Sequence, residues 1–421
     1  MKILWVKSGG FVPLDHGGKI RSYQLAKELA RRHEVTLFTF YPHQVVDAHA
    51  GIQDQFARVI CLPLQIPAPK SLGDHLGYAK NLFTLRPYSV AKYCQPQVAE
   101  RLLRLLQEES FDLILCDFLL TGVVIPWNLP GPKVLFTHNI EARIWERHYE
   151  LARNPIWKGV CYREFKAVSR MERTFLQRAD HVLTVSEVDR DFFACFLDPA
   201  KITVIPTGVD VNYFRPRPEA EEPNTLAFTG SMDWLPNEAA IFFFVEQIFP
   251  HIRARIPDVS IWVVGRRPSG RLQALAAREK ALRISGSVED VRPYMGKASV
   301  YIVPLLVGGG TRLKIFEAMA MGKAIVSTSV GAEGLPVEPG KNILLADQAE
   351  QFAHHVITLL THSEKRKALG RAARELVEKN YRWTSVAQEL DRILVRVAES
   401  YSVGLLDKRK LGAHRTGTHF V

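Results

Sequence analysis

The sequence predicts an α/β protein made of two Rossmann-like, doubly wound parallel sheets, on three observations. Short apolar runs without in/out alternation recur along the chain, as strands buried on both faces require. Longer helical patterns separate these runs, and strand–helix alternation over roughly 380 residues argues for parallel sheets. The runs outnumber the strands of a usual open sheet, and a proline-rich stretch interrupts them near the middle, so two sheets fit better than one.

In the first half, Ile3–Val6, Val35–Phe40, Ala57–Leu62, Leu113–Cys116, Val134–Thr137, Val182–Val185 and Ile202–Ile205 are the expected strands. Helical patterns lie between them, among them Ile20–Arg32, Val98–Glu109 and Trp157–Arg178. Segment 206–224 holds Pro206, Pro216, Pro218, Pro223 and a Glu-Ala-Glu-Glu run, which is the composition of a linker. The strand series restarts with Leu226–Thr229, Ser260–Val264, Leu282–Ile284, Val300–Val303, Ala324–Val326 and Ile343–Leu345. The expected organisation is a first domain over 1–205, a linker over 206–224 and a second domain over 225–382. A last amphipathic helix over 383–401 and a basic tail over 402–421, read as disordered, complete it.

Composition narrows the function. A chain of 421 residues with 47% hydrophobic and 24% charged residues is globular rather than disordered. Its net charge of +11 admits nucleic acid, an anionic membrane surface or a phosphorylated ligand. The excess is spread thinly, and no RNP-like, helix-turn-helix or zinc module accompanies it, so nucleic acid is not expected. The five cysteines show no CxxC spacing, and an odd number argues for free thiols in a reducing compartment. The apolar start Ile3–Val6 is too short for a signal peptide, and no run of about 18 apolar residues occurs. A cytoplasmic protein is expected, with any membrane contact peripheral.

Ligands of open α/β sheets bind at the carboxyl ends of strands, where loops and helix N-termini gather. With two such domains, the natural site is the cleft between their facing strand ends. The richest of these segments is Pro304–Gly322. Its glycines Gly308, Gly309 and Gly310 let backbone amides approach a ligand, and Thr311 is placed to cap a helix. Arg312 and Lys314 then put two cations in a first turn whose dipole disfavours them, an arrangement that favours a diphosphate. Glu317, about a turn on, is a candidate acceptor for sugar hydroxyls. Ser231 follows the second half's first strand and could reach a phosphate; Arg266 follows the next, and Val288 lies where backbone could run along a base edge. The first half offers Gly17 and Gly18 at a helix start, and His138 at the end of a strand. His, Cys and carboxylates show no metal-ligand spacing, so no metal is expected.

Taken together, GGGTRLKIFEAMAMGKAIVSTSVGAEGL (308–335), VIPTGVDVNYF (204–214), THNIE (137–141) and GGKIRSYQLAKEL (17–29) resemble a bacterial glycosyltransferase of family 4. The likeness covers residues 1 to about 400 and is strongest to the subgroup that makes exopolysaccharide and other cell-surface glycans. It implies the GT-B fold, with the last helix crossing back to the first domain. It also implies retaining transfer from a nucleotide-diphosphate sugar to a glycan or lipid-linked acceptor, without a cofactor or metal. Glu317 takes the position of the family glutamate on the ribose. Arg312, Lys314 and Thr311 would hold the diphosphate, Gly17 and Gly18 would border phosphate and acceptor, and His138 would lie beside the donor sugar as a positioning group. Two positions depart from the pattern. Gly309 stands where a glutamate is common, and Ser231-Met-Asp233 replaces a basic pair.

Segment 66–93 mixes Lys70, Lys80, Arg86 and Lys92 with Leu82, Phe83, Tyr88 and Tyr93. Such a mixture suits an anionic bilayer at the inner face of the cytoplasmic membrane, and equally a packed insertion with a solvated rim. The stripe Arg163, Lys166, Arg170, Arg173 lies on one helix face as a second surface candidate. A nucleotide-sugar epimerase of the same architecture, or a non-catalytic nucleotide-sugar-binding subunit, are the alternative readings.

Overall fold

The computed structural model describes residues 1–42, 47–68, 71–84, 86–307 and 312–415. The chain forms two units: Met1–Pro206 with the chain from Ala387 onward, and Thr207–Val386.

The first unit holds β1 (Lys2–Ser8), β2 (Glu34–Pro42), β3 (Arg58–Leu64), β4 (Leu113–Asp117), β5 (Lys133–Phe136), β6 (His181–Thr184) and β7 (Ile202–Val204). They run in the order β3-β2-β1-β4-β5-β6-β7, parallel throughout. The second holds β8 (Thr225–Thr229), β9 (Ser260–Val264), β10 (Leu282–Gly286), β11 (Val300–Val303), β12 (Ala324–Ser327) and β13 (Leu344–Leu345). Their order is β10-β9-β8-β11-β12-β13, again parallel. Every expected apolar run is a strand. Ladder pairing carries β1 outward over Lys2, Lys7 and Ser8, because backbone bonding rather than side-chain hydrophobicity sets where a strand ends.

Both sheets are buried on two sides, which explains the continuous apolar runs. Leu226, Phe228, Val300 and Ile302 enter one core of the second unit, while the alternate residues Ala227, Tyr301 and Val303 enter another. In β1, Leu4 and Val6 join Ile114 and Leu135 in one core, and Ile3 and Trp5 are fully buried on the opposite face. Each large apolar side chain so buried contributes roughly 1.5–3 kcal/mol.

Two segments differ from expectation. The stretch read as a linker is packed into the second unit, with Val209 and Val211 buried and Val209 bridging to Arg382. Its prolines keep it out of a ladder, but its carbonyls still need donors. Arg374 supplies them, reaching Val211 O at 3.0 Å and Phe214 O at 2.7 Å. The last helix, Trp383–Arg415, continues past residue 401, because helix formers such as Leu405, Leu406 and Lys408 extend an existing helix without a new nucleus. From Ala387 it belongs to the first unit. There Asp391 accepts from His33 Nε2 at 2.6 Å and from Arg32 at 3.2 Å, and Tyr401 Oη accepts from Gly131 N at 2.9 Å. Residues 416–421 of the expected tail lie outside the described residues.

Candidate active site

Strand order reverses between β1 and β4 in the first sheet and between β8 and β11 in the second. The carboxyl ends at these reversals leave room for a ligand, because the following chain departs to opposite faces.

In the first unit that position is a buried charge cluster. His138, 2% exposed, lies two residues beyond β5, and its Nε2–H donates to Asp117 Oδ1 at 2.7 Å. Asp117 ends β4 and also accepts from Trp5 Nε1 at 2.9 Å. The imidazole stacks on Phe118, with ring centroids 3.8 Å apart and planes 12° from parallel. Phe118 adopts φ = +70°, a left-handed backbone uncommon for a non-glycine residue. Its ring also faces Gly18, where a Cβ would come within 2.6 Å of Phe118 Cζ. Gly18 and His138 therefore meet through one phenyl ring. Gly17 and Gly18 belong to the first turn of the helix Gly17–Leu29, which His16 caps, rather than to a loop before it.

Charges that sequence reasoning missed surround this pair. Lys7 Nζ sits 4.0 Å from the centre of the Phe118 ring, and burial lowers its pKa to about 8 against the pull of Asp117. Burial would raise the Asp117 carboxyl, but His138 and Lys7 hold it below the usual carboxylate range. Arg21 is buried over the Phe136 ring and donates to Ile205 O. Among the described residues its Nε and Nη1 have no partner, nor does His138 Nδ1. Burial lowers the His138 pKa to about 4, so the ring is neutral at pH 7. With the proton on Nε2 facing Asp117, Nδ1 is left as a hydrogen-bond acceptor. The signal was legible: Lys7 and Asp117 are charges closing apolar strand runs.

In the second unit, four loops were expected to converge, and the structure joins part of them. Ser231 Oγ accepts from Arg266 Nε at 2.7 Å, so a cation from the loop after β9 reaches the place where a basic pair is missing after β8. The two loops touch through backbone. A Cβ on Gly265 would lie 1.8 Å from Gly230 O, an obstacle that no side-chain rotation relieves. Gly265→Ala is therefore expected to destabilise the second unit by more than about 3 kcal/mol, read as a lower urea midpoint; an unchanged midpoint would show that the contact can open freely.

Lys314 joins the same group. It lies in the first turn of the helix Leu313–Ala320, donates to Asn237 Oδ1 at 2.8 Å and sits 4.0 Å over the Phe228 ring. A Cβ on Gly230 would come within 2.7 Å of its Nζ. Burial lowers its pKa to about 7, with Arg312 adding to the effect and Glu317 opposing it. Glu317 is raised to about 7 by burial, with Lys314 opposing. Asn237, which orients Lys314, was not foreseen. Arg312 is turned elsewhere: it sits at φ = +49° ahead of the helix, donates to Val330 O at 2.9 Å and approaches Glu333 at 3.8 Å. Gly309, Gly310 and Thr311 lie outside the described residues, and Arg312 occupies the helix N-cap expected for Thr311. Val288 is half-buried in the loop after β10, two strands away from β8.

Among the described residues, no group of three or more His, Cys, Asp or Glu is arranged to hold a metal ion, and no helix is long and apolar enough to cross a membrane. Segment 66–93 is packed on one side. Glu164 accepts from Tyr88 N and Ser89 N, and Arg163 donates to the carbonyls of Asn81 and Thr84. Arg163 is thus a brace and not part of a free basic stripe. On the other side Leu72, Leu76 and Phe83 are exposed. Lys70 lies outside the described residues.

Comparison with known proteins agrees with this architecture. Residues 16–213 match the model of Glycosyltransferase Family 4, and residues 223–362 match that of Glycosyl transferases group 1. An uncharacterized 44.6 kDa protein in the cps region of Klebsiella pneumoniae is 23% identical over 399 residues, which is 90% of this chain and 96% of that protein. The phosphatidyl-myo-inositol mannosyltransferase of Mycolicibacterium smegmatis is 30% identical over 203 residues, 46% of this chain and 52% of that enzyme. Among solved structures, sucrose-phosphate synthase from Thermosynechococcus elongatus aligns with a TM-score of 0.71 and 18% identity over 95% of this chain and 99% of that one. Anabaena HepE in complex with UDP aligns with 0.68 and 16% over 94% and 100%. With a family 4 domain followed by a group 1 domain, on two parallel sheets shared with solved GT-B enzymes, the chain belongs to the two-domain glycosyltransferases.

Proposed function

We propose that this glycosyltransferase takes a hexosyl group from a nucleotide-diphosphate sugar, with retention and without a metal, and passes it to a glycan or lipid-linked acceptor. The product belongs to exopolysaccharide or cell-surface polysaccharide synthesis. The observation that carries this reading is the half-buried ammonium of Lys314, which has Asn237 for a hydrogen-bond partner and no carboxylate within ion-pair distance among the described residues. A desolvated cation at the end of β8 and the start of a helix is placed for an anion.

On this reading Lys314, Ser231 and Arg266 hold the diphosphate and Arg312 braces the helix start, while Gly309, Gly310 and Thr311, outside the described residues, remain expected donor contacts. Glu317 accepts from the ribose hydroxyls, and backbone at Val288 borders the base. His138 accepts a hydroxyl of the donor sugar at Nδ1, beside Gly17 and Gly18. The acceptor oxygen bonds to the anomeric carbon on the face that the phosphate leaves, and its proton passes to the departing phosphate oxygen. Lys314 and the helix dipole stabilise the charge that develops there. HepE solved with UDP supports the donor class. The cps-region relative supports the polysaccharide role, and the lipid-named mannosyltransferase supports a lipid-linked acceptor. Exposed Leu72, Leu76 and Phe83, with Lys80 and Arg86 nearby, suit peripheral contact with an anionic membrane on the cytoplasmic side.

The test is a panel of UDP-, GDP- and dTDP-sugars, read by thermal shift and by transfer. One donor family should stabilise the fold selectively, and Glu317→Gln should raise its KM about tenfold with a smaller change in kcat. No selective stabilisation, and kinetics indifferent to Glu317→Gln, would overturn the reading.

A further inference from the structure

The first unit also contains a groove of about 350 Å³, lined by the helix Tyr88–Ala91, the turn Leu119–Val123 and the helix Pro155–Arg178. Arg86, Arg170 and Arg178 line it, and no carboxylate does. Among the described residues none of the three is ion-paired; the Arg86 guanidinium has only Cys94 Sγ, at 3.8 Å. Arg170 and Arg178 are eight residues apart on one helix, a separation of about 12 Å along its axis.

Between the arginines the walls are apolar. The floor is a fixed stack of Trp127 on Phe175, centroids 5.6 Å apart and planes 21° from parallel. Trp127 Nε1 is taken by Gly122 O at 2.8 Å, and a Cβ on Gly122 would come within 2.5 Å of the Phe175 ring. Besides the arginines and this occupied indole N–H, only Thr174 and Cys94 bring polar side chains to the lining. A sugar or peptide site would need far more hydrogen-bonding groups. Unpaired cations over an apolar floor are instead complementary to an anionic head on an apolar stem. The site adjoins the His138 cluster in the chain: Phe118, on which His138 stacks, and Gly122, on which Phe175 packs, belong to one short loop. Leu82 and Phe83, 51% and 94% exposed, lie just before Arg86.

We infer that this groove binds a single-chain lipid phosphate, an alkyl or prenyl phosphate or diphosphate, with its head on the arginines and its chain along Trp127 and Phe175. The inference rests on the glycosyltransferase reading only in taking the lipid as the carrier of the acceptor. The test titrates the full chain with farnesyl phosphate below its micelle concentration, by calorimetry and without nucleotide sugar. Saturable binding of one molecule per chain is expected. Farnesol and inorganic phosphate should each bind at least about tenfold more weakly, because each lacks one half of the recognition. The variant Arg170→Glu/Arg178→Glu changes two exposed side chains and should weaken binding by a similar factor while leaving UDP binding and the thermal melt unchanged. Equal affinity in that variant would overturn the inference. So would adsorption to phosphatidylglycerol vesicles without saturable farnesyl phosphate binding, which would mark the arginines as a general membrane patch. A failed donor panel with intact farnesyl phosphate binding would overturn the donor reading alone, and the converse result would overturn this one alone.

Discussion

Lys314→Met is expected to lower kcat for sugar transfer at least about a hundredfold while raising the melting temperature by about 2–4 °C. The two effects have one origin. Methionine keeps an unbranched stem toward the Phe228 ring, one atom shorter than lysine, and brings no charge into a site where burial lowers the ammonium pKa to about 7. That shift means that the fold disfavours the charged form, which burial strips of water. Between about pH 7 and 10.5 the unfolded chain binds a proton that the folded chain refuses, so wild-type stability rises with pH across that window. The methionine variant should lack this slope. A residue kept at a cost to the fold is best explained by what it does with a ligand, and a diphosphate would return the missing counter-charge. UDP binding near pH 8 should therefore take up protons, measurable by calorimetry in buffers of different ionisation enthalpy. Glu317 titrates in the same range and releases protons when its carboxylate accepts the ribose, so the measurement belongs in Glu317→Gln. No uptake in that variant, or a methionine variant with full activity, would remove Lys314 from the donor site.

The sheets were legible because burial on both faces writes a strand directly as an apolar run. Candidate residues were legible only where composition marked a strand's end. That rule named Ser231, Arg266 and Lys314 as candidates, and the bonds of Ser231 to Arg266 and of Lys314 to Asn237 join three of the segments in space. The rule gave no direction for a side chain. Arg312 and Lys314 stand two residues apart in the sequence, yet the left-handed backbone of Arg312 sends its guanidinium toward Val330 and Glu333. Lys7 and Asp117 satisfied the same rule as His138 and were passed over, because a charge at the end of a strand reads as surface until the fold closes over it. In the same way, composition showed that 206–224 could not enter a ladder, but not that Arg374 would satisfy its carbonyls.

Asp117→Asn is expected to destabilise the first unit by about 3 kcal/mol at pH 7 and to reduce transfer with it. The carboxylate is fully buried and faces His138 Nε2, Trp5 Nε1, the Lys7 ammonium and the Ser22 hydroxyl. Asparagine preserves shape but leaves Lys7 buried without a counter-charge. Lys7→Met combined with Asp117→Asn removes both charges and should recover most of the loss, a coupling that a simple packing defect would not show. The pH dependence isolates His138. Its folded pKa, lowered to about 4 by burial, lies below the ordinary 6.5, so its contribution is complete above pH 6.5 and is lost progressively down to about pH 4. Over that interval the loss is about 3 kcal/mol. Asp117, held below its own ordinary value, keeps its contribution until the pH falls further. His138→Gln can present an N–H toward Asp117 without titrating, so between pH 7 and 4 the variant should lose about 3 kcal/mol less than wild type in urea unfolding. His181, also lowered to about 4, contributes equally to both and cancels in the difference. Parallel stability curves would mean that the fold does not hold the imidazole neutral below its ordinary pKa of 6.5, and wherever the ring is charged Nδ1 is a donor. The neutral ring that His138 needs to accept a sugar hydroxyl would then be lost below about pH 6.5, and transfer should fall with it.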